Sequence, residues 1–146
     1  MKTIVFAEDN LVTLTAYKLC LELAGFKVKT ARDGVVAMRI MSQTVPDLVI
    51  LDLEMPKFNG GEVLEYIRTS EHLKAVPVVI LSTNTIVDVA REHFLNHANR
   101  RLLKGNCNSQ VLLRTIQELL GPDKKDKTTP ADPVENNFLN ELHNAR

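Results

Sequence analysis

The chain contains no tryptophan, only two cysteines and no net charge, with 18 Lys and Arg balancing 18 Asp and Glu over 146 residues. Two cysteines do not make a disulfide framework, and Cys20 and Cys107 have no metal-ligand spacing. Both fall in segments of expected helix, which points to buried thiols in a reducing compartment; the cytoplasm is the expected location. Charge neutrality removes the electrostatic basis for bulk nucleic-acid binding, and Arg100-Arg101 is too short for a basic patch. No apolar run approaches a bilayer span, and Met1-Lys2-Thr3 passes straight into a strand-like segment, so neither a membrane helix nor a signal peptide is expected. What is present is an ordinary globular composition, 45% hydrophobic and 25% charged, with length for one domain and one core.

Short apolar runs alternate with longer stretches of helical period, the pattern of βα units and a parallel sheet. Strands are expected at Thr3–Ala7, Phe26–Thr30, Leu48–Asp52 and from Pro77 to Ser82, with a short fifth at Arg100–Leu103. The run at 48–52 is apolar on both faces, as in the middle of a parallel sheet, whereas Phe26–Thr30 alternates and reads as an edge. Val12, Ala16, Leu19 and Leu23 set up a first helix that Gly25 ends. Ala37, Ile40 and Met41 mark a second, closed before Val45-Pro46. Val63, Leu64 and Ile67 mark a third, entered through Gly60-Gly61, where glycine permits a tight turn. Val87, Ala90, Phe94 and Ala98 mark a fourth, and Leu112, Ile116 and Leu119 a fifth, ended by Gly121-Pro122. From Pro122 onward apolar side chains almost vanish until Phe138, Leu139 and Leu142. The expectation is a domain at 1–121 followed by a flexible polar tail at 122–146 without an output domain.

The chemistry-bearing residues sit where these strands stop. The first run delivers Glu8-Asp9, the third Asp52, the fourth Ser82 and Thr83, and the fifth Lys104. In an open α/β sheet ligands bind beyond the carboxyl ends of the strands, so neighbouring strands would gather three carboxylates, a hydroxyl and an ammonium. A hard cation such as Mg²⁺ takes oxygen ligands of this kind. Asp52 suits a nucleophile that forms an acyl phosphate, with the metal and Lys104 neutralising the incoming group and Ser82 donating its hydroxyl. Singly, each residue has a plainer reading: Asp9-Asn10 as a helix cap, Lys104 as a solvated lysine. His93 and His97 are four apart but lack completing ligands, which favours a solvated face.

Taken together, Glu8-Asp9, the run Val49-Ile50-Leu51-Asp52-Leu53-Glu54-Met55-Pro56, Asn59-Gly60, Pro77 through Ser82 and Lys104 resemble the receiver domain of a two-component response regulator, from about Lys2 to Gly121. The resemblance implies a doubly wound, flavodoxin-like α/β fold with five helices and a five-stranded parallel sheet ordered 2-1-3-4-5. It implies phosphate taken from a phosphohistidine by Asp52. It also implies a metal held by Asp9, Asp52 and the main-chain carbonyl of Glu54, with Glu8 supporting through water. Ser82 and Lys104 carry over as phosphate-sensing hydroxyl and counterion. Implied partners are a sensor histidine kinase or histidine phosphotransfer protein and a downstream protein, with a homodimer through the fourth helix, fifth strand and fifth helix also in view. Such a chain is a switch that catalyses only its own phosphotransfer and dephosphorylation.

Two positions depart from the family pattern. Gly105 follows Lys104 where proline is usual, and Arg101 occupies the place of a switching Tyr or Phe. Glu54 and Asn84, two residues beyond Asp52 and Ser82, would flank the path of a hydrolytic water. The competing reading from another class is an aspartyl-phosphate phosphatase of the haloacid dehalogenase type, which Asp52-Leu53-Glu54 superficially resembles. A cap domain is lacking, and the acidic pair precedes Asp52 rather than following it.

Overall fold

The computed structural model describes residues 1–83 and 96–121. Five parallel strands, β1 (Thr3–Ala7), β2 (Lys27–Ala31), β3 (Leu48–Asp52), β4 (Val78–Ser82) and β5 (Arg100–Leu103), form one sheet in the order 2-1-3-4-5. Among the described residues the helices are α1 (Leu11–Leu23), α2 (Gly34–Gln43), α3 (Gly60–Thr69) and α4 (Ser109–Leu120). The helix expected fifth is therefore α4. Most of the helix expected at Val87–Ala98, together with Asn84, His93 and the 122–146 tail, lies outside the described residues.

Strand alternation divides the core into two layers. Val5, Val49 and Ile80 face α2 and α3, where Met41, Leu64 and Ile67 are fully buried. Phe6, Ile50 and Leu81 face α1 and α4, meeting Leu21 and Ile116. β3 and β4 are buried at every position, as strands covered on both sides must be. β2 is an edge, as its alternation indicated, but it starts one residue later, at Lys27.

Each helix begins on an Asn or Asp that accepts a backbone N–H three residues on. Asn10 takes Thr13 N (3.0 Å), Asp33 takes Val36 N (2.8 Å), Asn59 takes Glu62 N (3.0 Å) and Asn108 takes Val111 N (2.9 Å). These caps satisfy donors that a helix start leaves unpaired. Gly25 (φ 96°) and Gly121 (φ 68°) close α1 and α4 in left-handed conformations, as helix ends commonly require. Arg68, at the end of α3, donates to the carbonyls of Val76 (2.7 Å) and His97 (2.9 Å) and to Asn99 Oδ1 (2.9 Å). Asn99 Oδ1 also accepts Val78 N (2.8 Å). The guanidinium thereby ties the starts of β4 and β5 together.

Three expectations are corrected. The stripe Val12, Ala16, Leu19 and Leu23 faces solvent, and α1 instead buries Leu14 and Leu21 with Tyr17 between them. The helix carries two apolar stripes, and the bulkier one wins the core. Tyr17 stacks edge-on against Phe6 (ring centroids 6.2 Å apart, planes at 84°), and its hydroxyl donates to the Cys107 carbonyl (3.1 Å). Cys107 is not helical; it lies between a 3₁₀ turn at Lys104–Asn106 and α4, and both thiols are only half-buried. The positive backbone angles near α3 fall on Lys57 (φ 48°) and Phe58 (φ 66°), not on Gly60-Gly61. Gly60 is needed for proximity: a Cβ there would meet Asp52 O at 2.5 Å.

Candidate functional site

Strand register brings the expected residues together. β1 and β3 are neighbours with Ala7 opposite Leu51, so Glu8 and Asp52 leave the sheet side by side. β4 follows with Leu81 opposite Asp52, and β5 with Leu103 opposite Ser82. Lys104 emerges one residue beyond that pairing. Glu8, Asp52 and Ser82 are buried, whereas Asp9 and Glu54 are exposed at the rim. Asn10 does the capping of α1, which leaves the Asp9 carboxylate out of the cap hydrogen bond.

The pocket is built around one shared cation. Lys104 Nζ lies 2.7 and 2.9 Å from the two Glu8 oxygens and 3.3 Å from Asp52 Oδ2. Glu8 is fully buried, and the lysine side chain keeps only 20% exposure. The other Asp52 oxygen, Oδ1, accepts Glu54 N at 3.2 Å. Both Asp52 oxygens are thus held, on a backbone that Gly60 allows α3 to approach closely.

Burial and then the neighbouring Glu8, through a hydrogen bond and its charge, push the Asp52 carboxyl up to about 7, against the lowering influence of the Glu54 amide and Lys104. Burial alone would lower the Lys104 ammonium, but the Glu8 hydrogen bond and the Asp52 and Glu8 charges raise it overall. Lys104 therefore stays charged while Asp52 is poised to gain a proton whenever no further cation is present.

Glu8, Asp9 and Asp52 each offer an oxygen, and these lie within 4.8 Å of one another. It is the group of this kind found among the described residues. With all three carboxylates ionised and one ammonium, the cluster carries a formal charge of −2. An all-oxygen donor set with a deficit of two positive charges fits a hard divalent cation.

Glu8, Asp9, Asp52 and Lys104 thus converge, and Ser82 stands at the end of the neighbouring strand β4 by register. Sequence reasoning missed the close approach at Gly60, although the capping pattern Asn59-x-x-Glu62, which sets α3 at that point, was legible. Arg101 is exposed on β5, opposite Ile80. Gly105 lies in the 3₁₀ turn with open space around it. No helix among the described residues is long and apolar enough to cross a membrane.

Comparison with known proteins agrees with this geometry. The chain is 36% identical over 124 residues to the probable methanogenesis regulatory protein FilR2 of Methanothrix harundinacea, covering 80% of this chain and 79% of that protein. Chemotaxis response regulator CheY4 of Vibrio cholerae superposes with a TM-score of 0.74 at 27% identity, over 82% of this chain and 99% of that one. The receiver domain of sensor histidine kinase PA1611 from Pseudomonas aeruginosa, solved with a magnesium ion coordinated in its active-site cleft, superposes equally well (0.74, 28% identity, 83% and 98% coverage). The family model of the response regulator receiver domain matches residues 4–117. That match spans well over half of the chain, and the protein belongs to the response regulator receiver-domain family.

Proposed function

We propose that this chain is a phosphorylation-controlled switch in which Asp52 accepts a phosphoryl group from a phosphohistidine, with Mg²⁺ held beside it. The observation that carries the reading is the position of Asp52. It is buried at the end of the central strand, 3.3 Å from Lys104 and within ligand-sharing distance of Asp9 and Glu8. Receiver domains are phospho-switches rather than turnover enzymes, and they work with sensor histidine kinases.

Asp9, Asp52 and the main-chain carbonyl of Glu54 would hold the metal, with Glu8 acting through water. Bound there, Mg²⁺ would neutralise charge on the transferring oxygens. An Asp52 oxygen bonds to phosphorus as the P–N bond breaks, and the imidazole leaves with that bond's electron pair. Lys104, already 3.3 Å from Asp52 Oδ2, offsets the charge gained on the acyl phosphate. The Ser82 hydroxyl turns to a phosphoryl oxygen. The resulting change alters the surface beside β5 and α4, and a downstream protein binds the shifted population. Residues 1–121 form the receiver, working in the cytoplasm with a histidine kinase or phosphotransfer protein as donor.

Incubation with acetyl phosphate and Mg²⁺ tests this directly. One phosphoryl group per native chain is expected by intact mass, and none on Asp52→Asn with an unchanged far-UV circular dichroism spectrum. Incorporation that survives in Asp52→Asn would overturn the assignment, as would many turnovers of a phosphate ester.

A further inference from the structure

β5 delivers Lys104 to the pocket, yet its own side chains anchor it weakly. The strand is four residues long, lies at an edge of the sheet and pairs with β4 alone. Arg100 and Arg101 are exposed, Leu102 and Leu103 half-buried, and Leu102 is the strand's contribution to a core cluster. Ladder hydrogen bonds come from the backbone and favour every register alike, so register is weakly specified where no face is buried. A slip of one residue would carry Lys104 about 3.3 Å along the strand. Its Nζ sits 2.7 and 2.9 Å from the Glu8 oxygens, and a hydrogen bond does not survive such a shift.

A side-chain cluster at the amino end of β5 supplies the specification that the strand lacks. Asn99, the residue before β5, donates its N–H to Val78 O (2.9 Å) and accepts Val78 N on Oδ1 (2.8 Å). The same Oδ1 accepts Arg68 Nη2 (2.9 Å). Arg68 Nε donates to His97 O (2.9 Å), and Nη1 donates to Lys74 O (3.1 Å) and Val76 O (2.7 Å). The planar fork therefore holds the approaches to β4 and β5 at fixed angles, from a helix whose neighbouring Ile67 is fully buried. One residue either way along the chain stand Ala98 and Arg100, and neither side chain offers an oxygen to this cluster. The cluster thus accepts one register. We propose that Arg68 and Asn99 are positioning residues, which lock the register of β5 at its amino end and so place Lys104 across Glu8 and Asp52 at the other.

From Asn99 to Leu103 the strand advances about 13 Å, so the two residues act on the pocket through β5 rather than by contact. Glu8, Asp9 and Asp52 follow β1 and β3, which the cluster does not hold, and they keep their places when it is broken. Two consequences separate positioning from general support of the fold. Breaking the cluster frees the Lys104 ammonium, a local event at the far end of the strand. Any effect on Asp52 chemistry disappears once Lys104 itself is gone, because the two changes then act on one missing group. This second consequence rests on the reading of Asp52 as phosphoryl acceptor, and the first does not.

The full chain provides the test in two arms. Trace acylation with acetic anhydride, read by peptide mass, should label Lys104 about tenfold faster in Asn99→Ala than in the native chain. Labelling of Lys18, on α1, should stay constant and serves as the internal standard. Asn99→Asp keeps an acceptor oxygen and should label Lys104 at the native rate, whereas Arg68→Lys keeps the charge without the fork and should resemble Asn99→Ala. In the second arm Asn99→Ala should slow phosphoryl uptake from acetyl phosphate about tenfold in the native background and leave it unchanged in Lys104→Met. Native labelling of Lys104 in Asn99→Ala would overturn the inference. Equal slowing in both backgrounds would overturn it too, by showing a loss that does not pass through Lys104. A native chain that takes up no phosphate would sink the acceptor reading alone, and the labelling arm would still decide the role of Arg68 and Asn99.

Discussion

At the amino end of the sheet Thr3 N donates to Asp47 Oδ2 (2.7 Å), Asp47 N returns a bond to Thr3 O (2.8 Å), and Lys2 Nζ reaches the Leu120 carbonyl (3.3 Å). At the carboxyl end, ten residues of strand later in β1 and β3 together, one ammonium is shared by two buried carboxylates with a third acid at the rim. The first arrangement sits at the solvent edge, and local partners satisfy it. The second confines like charges in a low-dielectric space, which disfavours ionisation of Asp52 until a further cation arrives. One set of strands thus supplies a scaffold at one end and stored electrostatic tension at the other.

The sharpest test of that contrast sets the middle of β3 against its end. Ile50→Ala opens a cavity at a fully buried position and should cost about 4 kcal/mol in denaturant unfolding. Mg²⁺ should leave that loss unchanged. Lys104→Met removes the shared cation and should cost about 3 kcal/mol in metal-free protein at pH 7.5. Saturating Mg²⁺ should recover much of it, because the cluster then regains positive charge. A Lys104→Met loss indifferent to metal would erase the distinction between the two ends.

Proton competition gives the next largest effect. The Asp52 carboxyl sits at about 7, above the ordinary carboxylate value, so it is protonated below that pH and must lose the proton to ligate. Mg²⁺ affinity should therefore be nearly level above pH 8 and weaken about tenfold between pH 8 and pH 6. Isothermal titration across that range measures it, and a flat profile would mean that Asp52 is ionised throughout. Next comes Gly105→Ala, at a position without positive φ and with nothing within 4 Å of an added Cβ. It should stabilise the chain by about 0.5 kcal/mol through the unfolded state, with Lys104 still able to span Glu8 and Asp52. Destabilisation would show that Gly105 contributes a freedom the resting turn does not display.

Much of the fold was legible because burial dictates composition. β3 and β4, covered on both faces, are unbroken apolar runs, and α3 has one apolar stripe, so Val63, Leu64 and Ile67 had one way to turn. In α1 the same reasoning chose the wrong side. Val12, Leu19 and Leu23 repeat as cleanly as Leu14, Tyr17 and Leu21, and periodicity measures the spacing of a stripe, not its destination. The contact of Tyr17 with Phe6 and the Cys107 carbonyl, distant in sequence, decided between them. Gly60 misled for a related reason: glycine suggests an unusual backbone angle, whereas here the missing Cβ makes room for the Asp52 carbonyl.

From residue order alone came the number and sequence of strands and the appearance of Glu8, Asp9, Asp52, Ser82 and Lys104 at strand ends, since hydrophobic alternation and its interruption are local properties. Only the folded chain decided that Lys104 Nζ bridges Glu8 and Asp52 and that a carboxyl at the end of β3 is held near neutrality. Those depend on separations across 96 residues of chain and on how much water is excluded, and both are set by packing.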